Sequence, residues 1–118
     1  MRKMLKKYLL IVFISMLMSS DFENVNVLDI TSKTELKRYM KSISKDLGVK
    51  CKYCHNMDDK SIDTPHKEIA REMIILTRQI NKHLHSLQKD KEEGNVTITC
   101  WTCHKGKTEV EPKRPIEE

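Results

Sequence analysis

The chain has 118 residues, of which 33% are charged and 5% aromatic, so it can form one small domain with a modest apolar core. Residues 1–20 hold four basic and no acidic side chains, and they account for most of the net charge of +5. The remaining 18 basic and 17 acidic residues leave a charge of +1, which does not favour a nucleic-acid-binding protein.

Residues 1–20 have the layout of a secretory signal peptide. A basic start is followed by an apolar run over 8–17 and by two small residues, Ser19 and Ser20. The run is shorter than the roughly 20 residues of a membrane span. Met18 suits the −3 position of a cleavage site poorly, so an uncleaved anchor stays as the alternative. We therefore expect export to the periplasm, with membrane contact only if this segment is retained.

The mature chain is predicted to be all-α, with two long helices and short helical turns. After a lead-in over 21–30, Ser32 and Glu35 have the spacing of a capping box, and Gly48 is typical of a helix C-terminus. The apolar stripe of this first helix consists of Leu36, Tyr39, Met40, Ile43 and Leu47.

Thr64 followed by Pro65 predicts the start of a second helix, which we expect to end near Leu87. Its stripe consists of Ile69, Met73, Leu76, Ile80, Leu84 and Leu87. A charged turn over 89–95 and an extended run over 96–99 follow. We expect one domain over 21–106 and a charged, disordered tail over 107–118.

All four cysteines fall into two Cys-x-x-Cys-His motifs, whose members are Cys51, Cys54 and His55, then Cys100, Cys103 and His104. Two cysteines one helical turn apart can each form a thioether to a haem vinyl group, and the adjacent histidine then binds the iron. A single motif is ambiguous, since zinc and redox sites also contain Cys-x-x-Cys pairs. Two motifs behind an export signal, using every cysteine, predict two covalently bound c-type haems with their iron.

The sequence around these motifs resembles the cytochrome c subunit family of photosynthetic reaction centres, and in particular its short two-haem members. The resemblance lies in LGVKCKYCHN over 47–56, AREM over 70–73 and VTITCWTCHKG over 96–106, and it extends over residues 24–106. It implies a small cytochrome c-type domain built from repeated units of helix, turn and Cys-x-x-Cys-His. The full reaction-centre subunit carries four haems, whereas this chain has only two motifs.

The resemblance also implies the distal iron ligands. A methionine on the helix before each motif fills this role in the family, which assigns Met40 to the iron held by His55 and Met73 to the iron held by His104. Met73 lies 27 residues before Cys100, a wider spacing than the 11 residues between Met40 and Cys51. His66, His83 and His85 are therefore rival ligands for the second iron.

These features predict an electron carrier that passes electrons between redox partner proteins of a transfer chain, and not an enzyme. One alternative is a small haem enzyme of the peroxidase or nitrogen-oxide reductase type, which would need an open iron position. Another is a zinc module that uses all four cysteines, but zinc-ribbon pairs are usually closer in sequence and cytosolic. Arg71 suits a haem propionate or solvent equally well.

Overall fold

The computed structural model describes residues 22–88 and 94–112, and within these ranges the chain is helical with no β-strand. The helices are α1 (Lys33–Leu47), a 3-10 turn (Cys51–Tyr53), α2 (Pro65–Leu87) and α3 (Cys100–His104). This confirms the predicted all-α class. The predicted signal peptide, part of the predicted 89–95 turn and the end of the tail lie outside the described residues.

Helix α1 begins and ends almost where its sequence pattern predicts. Gly48 adopts the left-handed conformation (φ 65°), and its N–H bonds back to the helix, as expected for a C-terminal glycine. The predicted capping box is wrong, because the Ser32 side chain makes no cap hydrogen bond. The helix instead starts with the backbone bond from Leu36 N–H to the Ser32 carbonyl (2.9 Å).

Helix α2 runs for 23 residues and has the predicted start. The Thr64 hydroxyl oxygen accepts the Lys67 N–H (3.2 Å), and Pro65 occupies the first turn, where its missing N–H costs nothing. Within the described residues no helix is long and apolar enough to cross a membrane.

The apolar face of α2 is the least expected part of the fold. Only one hydrophobic side chain of the described residues is buried, Ile74, which is 7% exposed. The predicted stripe lies on another face, and most of it stays exposed: Ile69, Met73, Leu76, Ile80 and Leu87. Such a long exposed apolar face on a small protein marks a surface that something covers. The protein chain alone therefore supplies very little core.

Polar contacts attach the lead-in segment to the loop before α2. The Asn24 side-chain amide donates to the Ser61 carbonyl (2.6 Å) and to the Asp63 carboxylate (2.7 Å). Asp63 also accepts from Arg71 (2.6 Å) and pairs with Lys67 (3.3 Å), so one carboxylate joins three partners. Arg71 is thus engaged by Asp63.

Two basic side chains of α2, Lys67 and Arg78, extend this attachment. Lys67 donates to the carbonyls of Lys60, Ser61 and Ile62 at 2.9–3.2 Å, which closes the loop onto the first turn of α2. One turn beyond Ile74, the Arg78 guanidinium donates to the Val27 carbonyl. Backbone carbonyls of irregular segments are thereby satisfied by long side chains of α2.

Acid should weaken this attachment through Asp63. Its hydrogen bonds from Arg71 and Asn24 lower the pKa from 3.8 to about 2. Since the folded-state pKa is depressed, the ionised carboxylate stabilises the fold above about pH 4, and this contribution is lost as the pH falls toward 2. We expect Asp63→Asn to lower the melting temperature at neutral pH and to match the unsubstituted protein near pH 2, measured by far-ultraviolet circular dichroism.

Asp58→Asn removes a carboxylate from the same loop and serves as the control. Equal melting temperatures for Asp63→Asn and Asp58→Asn at neutral pH would contradict a role for this network.

Candidate functional site

Both Cys-x-x-Cys-His motifs lie on helical turns, as the sequence predicts. In the first motif the 3-10 turn continues into a bond from His55 N–H to the Cys51 carbonyl (3.0 Å). The second motif is the whole of α3. None of the four cysteines is in a disulfide. In each motif the histidine follows one turn after the first cysteine, so thiols and imidazole belong to a single rigid unit.

The His55 ring is partly buried, and its Nδ1 atom is enclosed without a hydrogen-bond partner among the described residues. Burial lowers the pKa of His55. The nearby Lys60 backbone acts in the opposite direction, although it does not reach hydrogen-bond geometry with Nδ1. The net effect favours the neutral imidazole, which is the form that binds a metal.

The His104 ring is oriented by the turn that follows it. Its Nδ1 lies 3.0 Å from the Lys107 carbonyl oxygen, while the Lys107 N–H donates to the His104 carbonyl (3.0 Å). If Nδ1 carries the proton, it donates to Lys107, and Nε2 is left as the free lone pair. A backbone acceptor on one imidazole nitrogen is the usual way proteins orient the other toward a metal.

The start of α3 is fixed by a capping box. The Thr99 hydroxyl accepts the Trp101 N–H (3.2 Å), and the Thr102 hydroxyl accepts the Thr99 N–H (3.1 Å). These bonds satisfy backbone donors that a five-residue helix cannot pair internally. The second motif is therefore helical because of its own two threonines.

Helix α2 connects the two motifs. At its start, the Thr64 hydroxyl donates to the Cys54 carbonyl. Almost five turns later, the Asn81 amide makes two hydrogen bonds to the backbone of Ile98, donating to its carbonyl (2.9 Å) and accepting from its N–H (2.8 Å). Both motifs are thus positioned by one helix.

Helix α1 packs against the second motif. Its last carbonyls include that of Asp46, which accepts the Gly106 N–H (2.9 Å) just after α3. Burial raises the pKa of the Cys100 thiol, and the Asp46 carboxylate raises it further. Burial likewise raises the pKa of Tyr39, and Cys100 acts in the same direction. The helix that leads into the first motif therefore helps to enclose the second.

The candidate distal ligands lie in different environments. Met40 is partly buried on α1, whereas Met73 is 43% exposed within the apolar face of α2. His66 stacks on Tyr53, with ring centroids 4.1 Å apart. His83 and His85 are exposed near the end of α2, where they line a shallow depression with Gln79, Lys82 and Ser86.

The four cysteines are not gathered into one site. Over residues 22–88 and 94–112, no group of three or more His, Cys, Asp or Glu side chains is arranged to hold a metal ion. A zinc site shared by the two motifs has no support in this arrangement.

Three residues that lie close to a motif were not predicted to do so from the sequence. The apolar residues that recur along α2 mark a different face of the helix from the one that carries Asn81. The pairing of Asn81 with Ile98 depends on the tertiary fold. Tyr39 reads only as a member of an apolar stripe, yet it lies near Cys100. Lys107 falls in a charged tail that was expected to be disordered, and its backbone contacts His104. Asn81 stands among other polar residues, Gln79, Lys82 and His83, so no local signal distinguishes it.

Over the described residues the chain is helical, and both Cys-x-x-Cys-His turns are fixed by hydrogen bonds, an arrangement that fits the c-type cytochromes. Comparison with known proteins gives its family. The chain belongs to the photosynthetic reaction centre cytochrome c subunit family, which matches residues 15–113. This confirms the resemblance noted in the sequence, and the family carries covalently bound haem c with its iron.

Among curated proteins, a relative of the chain is cytochrome c-554 of Chloroflexus aurantiacus. The two are 37% identical over 83 residues, which make up 69% of this chain and 20% of the relative. The chain thus spans about a fifth of the length of this curated relative. No solved structure matches the chain.

The bond from Thr64 to Cys54 predicts a measurable effect on stability. Thr64→Ala removes both an N-cap acceptor and the donor to the Cys54 carbonyl, and should cost about 1 to 2 kcal/mol. Ser32→Ala is the matched control, because Ser32 occupies the same position on α1 without a cap bond. Urea unfolding followed at the helix band measures both variants. Equal losses for the two would show that the Thr64 hydroxyl does not stabilise the fold.

Proposed function

We propose that the chain is a dihaem electron carrier, with one haem attached at Cys51, Cys54 and His55 and the other at Cys100, Cys103 and His104. The observation that carries this proposal is the conformation of the motifs. Both are helical turns, and the ring of His104 is oriented through Nδ1 by a backbone carbonyl. A ligand held in this way needs little rearrangement when it binds iron.

The apolar face of α2 supports the same proposal. The exposed residues Met73, Leu76 and Ile80 form a surface on the helix that is tied to both motifs. A porphyrin lying on this face would remove these side chains from water, at about 25 cal/mol per Å² of apolar surface. Bound haem would thus explain both the small apolar core of the described residues and the exposed apolar face of α2.

When bound, haem supplies an iron that takes up and releases one electron. The chain's residues do the remaining work. The four cysteine thiols would hold the two haems through thioethers to their vinyl groups, and His55 and His104 would bind the iron. Apolar side chains of α2 keep water away, so that the local dielectric stays low and a neutral ligand set favours the reduced charge state.

We assign the distal positions to Met40 for the first iron and Met73 for the second. Both side chains lie on helices that contact a motif or its lead-in, and Met73 lies on the apolar face of α2. A neutral thioether raises the potential relative to a second histidine. Of the rival ligands, His66 is stacked on Tyr53, and His83 and His85 are exposed near the end of α2.

A carrier with both axial positions filled exchanges electrons with other proteins and needs no substrate pocket. We therefore propose redox proteins of a transfer chain as partners. The predicted signal peptide supports a periplasmic location, with an inner-membrane anchor if that segment is retained.

Haem counting tests the proposal directly. We expect the protein, produced in cells with a haem-attachment system, to carry two c haems per chain by the pyridine haemochrome assay. Cys51→Ala combined with Cys54→Ala should leave one haem, and so should Cys100→Ala combined with Cys103→Ala. A colourless protein, or one whose haem content is unchanged in either double variant, would refute the assignment.

The methionines are tested by spectroscopy of the oxidised protein. Met40→Ala and Met73→Ala should each reduce the weak far-red band of His/Met iron by about half, if the two haems contribute equally. Each should also allow carbon monoxide to bind the reduced protein, since one position is opened. Met57→Ala is the control, because Met57 is exposed in the loop after the first motif. Full survival of the band in both ligand variants would overturn the methionine assignment, and rapid carbon monoxide binding by the unsubstituted protein would favour a haem enzyme.

A further inference from the structure

Two glycines meet where the haem-attachment units adjoin. A Cβ atom built on Gly48 would lie 2.2 Å from the Gly106 carbonyl oxygen and 3.1 Å from its carbonyl carbon. Both glycines are left-handed, with φ of 65° and 82°. The approach is backbone to backbone, so no flexible side chain could move aside to relieve it. Only a residue without a side chain fits at Gly48.

The position of this contact in the chain connects the two motifs. Gly48 is three residues before Cys51, and Gly106 is two residues after His104. The Gly106 N–H donates to the Asp46 carbonyl (2.9 Å), which fixes the direction of approach as well as its closeness. Few rotatable bonds therefore separate the contact from either motif.

The turn at Gly106 depends on a second residue in an uncommon conformation. Lys105 has a φ of 49°, so two consecutive left-handed residues reverse the chain after α3. The reversal brings Gly106 to α1 and Lys107 to the His104 ring. The same turn thus contacts the first unit and orients the histidine of the second.

We propose that the contact between Gly48 and Gly106 is a positioning device that sets the distance and orientation between the two haems. This inference rests on the proposed dihaem function. Electron exchange between haems falls steeply with distance, and their electrostatic interaction falls as its inverse. The backbone contact cannot loosen without breaking the hydrogen bond from Gly106 to Asp46. It therefore keeps both the rate of electron exchange and the electrostatic interaction between the haems constant.

An alanine at position 48 would separate the units. Its Cβ at 2.2 Å from the Gly106 oxygen must retreat to at least the 3.4 Å of an ordinary contact, so the backbones part by more than about 1 Å. Alanine is also strained at a φ of 65°. Asparagine tolerates the left-handed conformation but keeps the Cβ, so Gly48→Asn introduces the clash with less backbone strain.

The test compares Gly48→Ala and Gly48→Asn with Gly94→Ala, since a Cβ at Gly94 meets nothing within 4 Å. The first measurement is the haem count of each holoprotein. The second is the circular dichroism of the Soret band, in which two neighbouring haems give a split couplet whose size and sign depend on their distance and orientation.

We expect a couplet in the unsubstituted protein and in Gly94→Ala. Both Gly48 variants should keep two haems and the far-red band but lose couplet amplitude or change its sign. A purely structural role would lower the melting temperature and leave the couplet of the folded holoprotein unchanged. Unaltered couplets in both variants, or the lack of a couplet in an unsubstituted protein with two haems, would overturn the positioning role alone.

A haem count other than two in the unsubstituted protein would instead refute the dihaem function. If neither Gly48 variant accumulates, amide hydrogen exchange in the unsubstituted holoprotein tests whether the contact is held in solution. Slow exchange of the Gly106 N–H supports the contact with Asp46, and exchange as fast as that of Gly94 contradicts it.

Discussion

Helix α2 has to position two separate motifs with almost no core beneath it. Among the 86 described residues, Ile74 is the one buried apolar side chain, which is too little core to hold them together. Polar contacts with the backbone therefore stabilise much of the tertiary structure. The two bonds between Asn81 and Ile98 and the bond from Thr64 to Cys54 are the central examples. Each ends on a partly buried backbone group, and a buried backbone donor or acceptor left without a partner is costly.

The same scarcity of core links stability to function. The exposed apolar face of α2 is a poor surface for a small protein in water, and it is well suited to a flat apolar macrocycle. In the proposed function the bound haems complete the interior. Folding and cofactor binding then share one surface, and the polar contacts keep the motifs in place on either side of it.

Much of the helical structure is predictable because it depends on local chemistry. Pro65 after Thr64 fixes the start of α2, and Gly48 ends α1, since both effects act within one helical turn. The predicted capping box at Ser32 is absent, because the spacing of Ser32 and Glu35 allows the hydrogen bond without requiring it. The predicted stripe on α2 stays largely exposed, and the buried residue is Ile74 on another face. Periodicity indicates an apolar face of a helix but not what lies against it.

By itself, the sequence determined the two Cys-x-x-Cys-His motifs, the helical class and the family, because these depend on residue identity and short spacing. The sequence also contains Asp63, Asn81, Gly48 and Gly106, but it does not indicate which residues they contact. Only the tertiary structure decided that Asp63 joins Asn24 to Arg71, that Asn81 pairs with Ile98, and that Gly48 meets Gly106. Asn24 and Asp63 are 39 residues apart, Asn81 and Ile98 are 17 apart, and Gly48 and Gly106 are 58 apart. Such contacts follow from how the helices pack rather than from any local pattern.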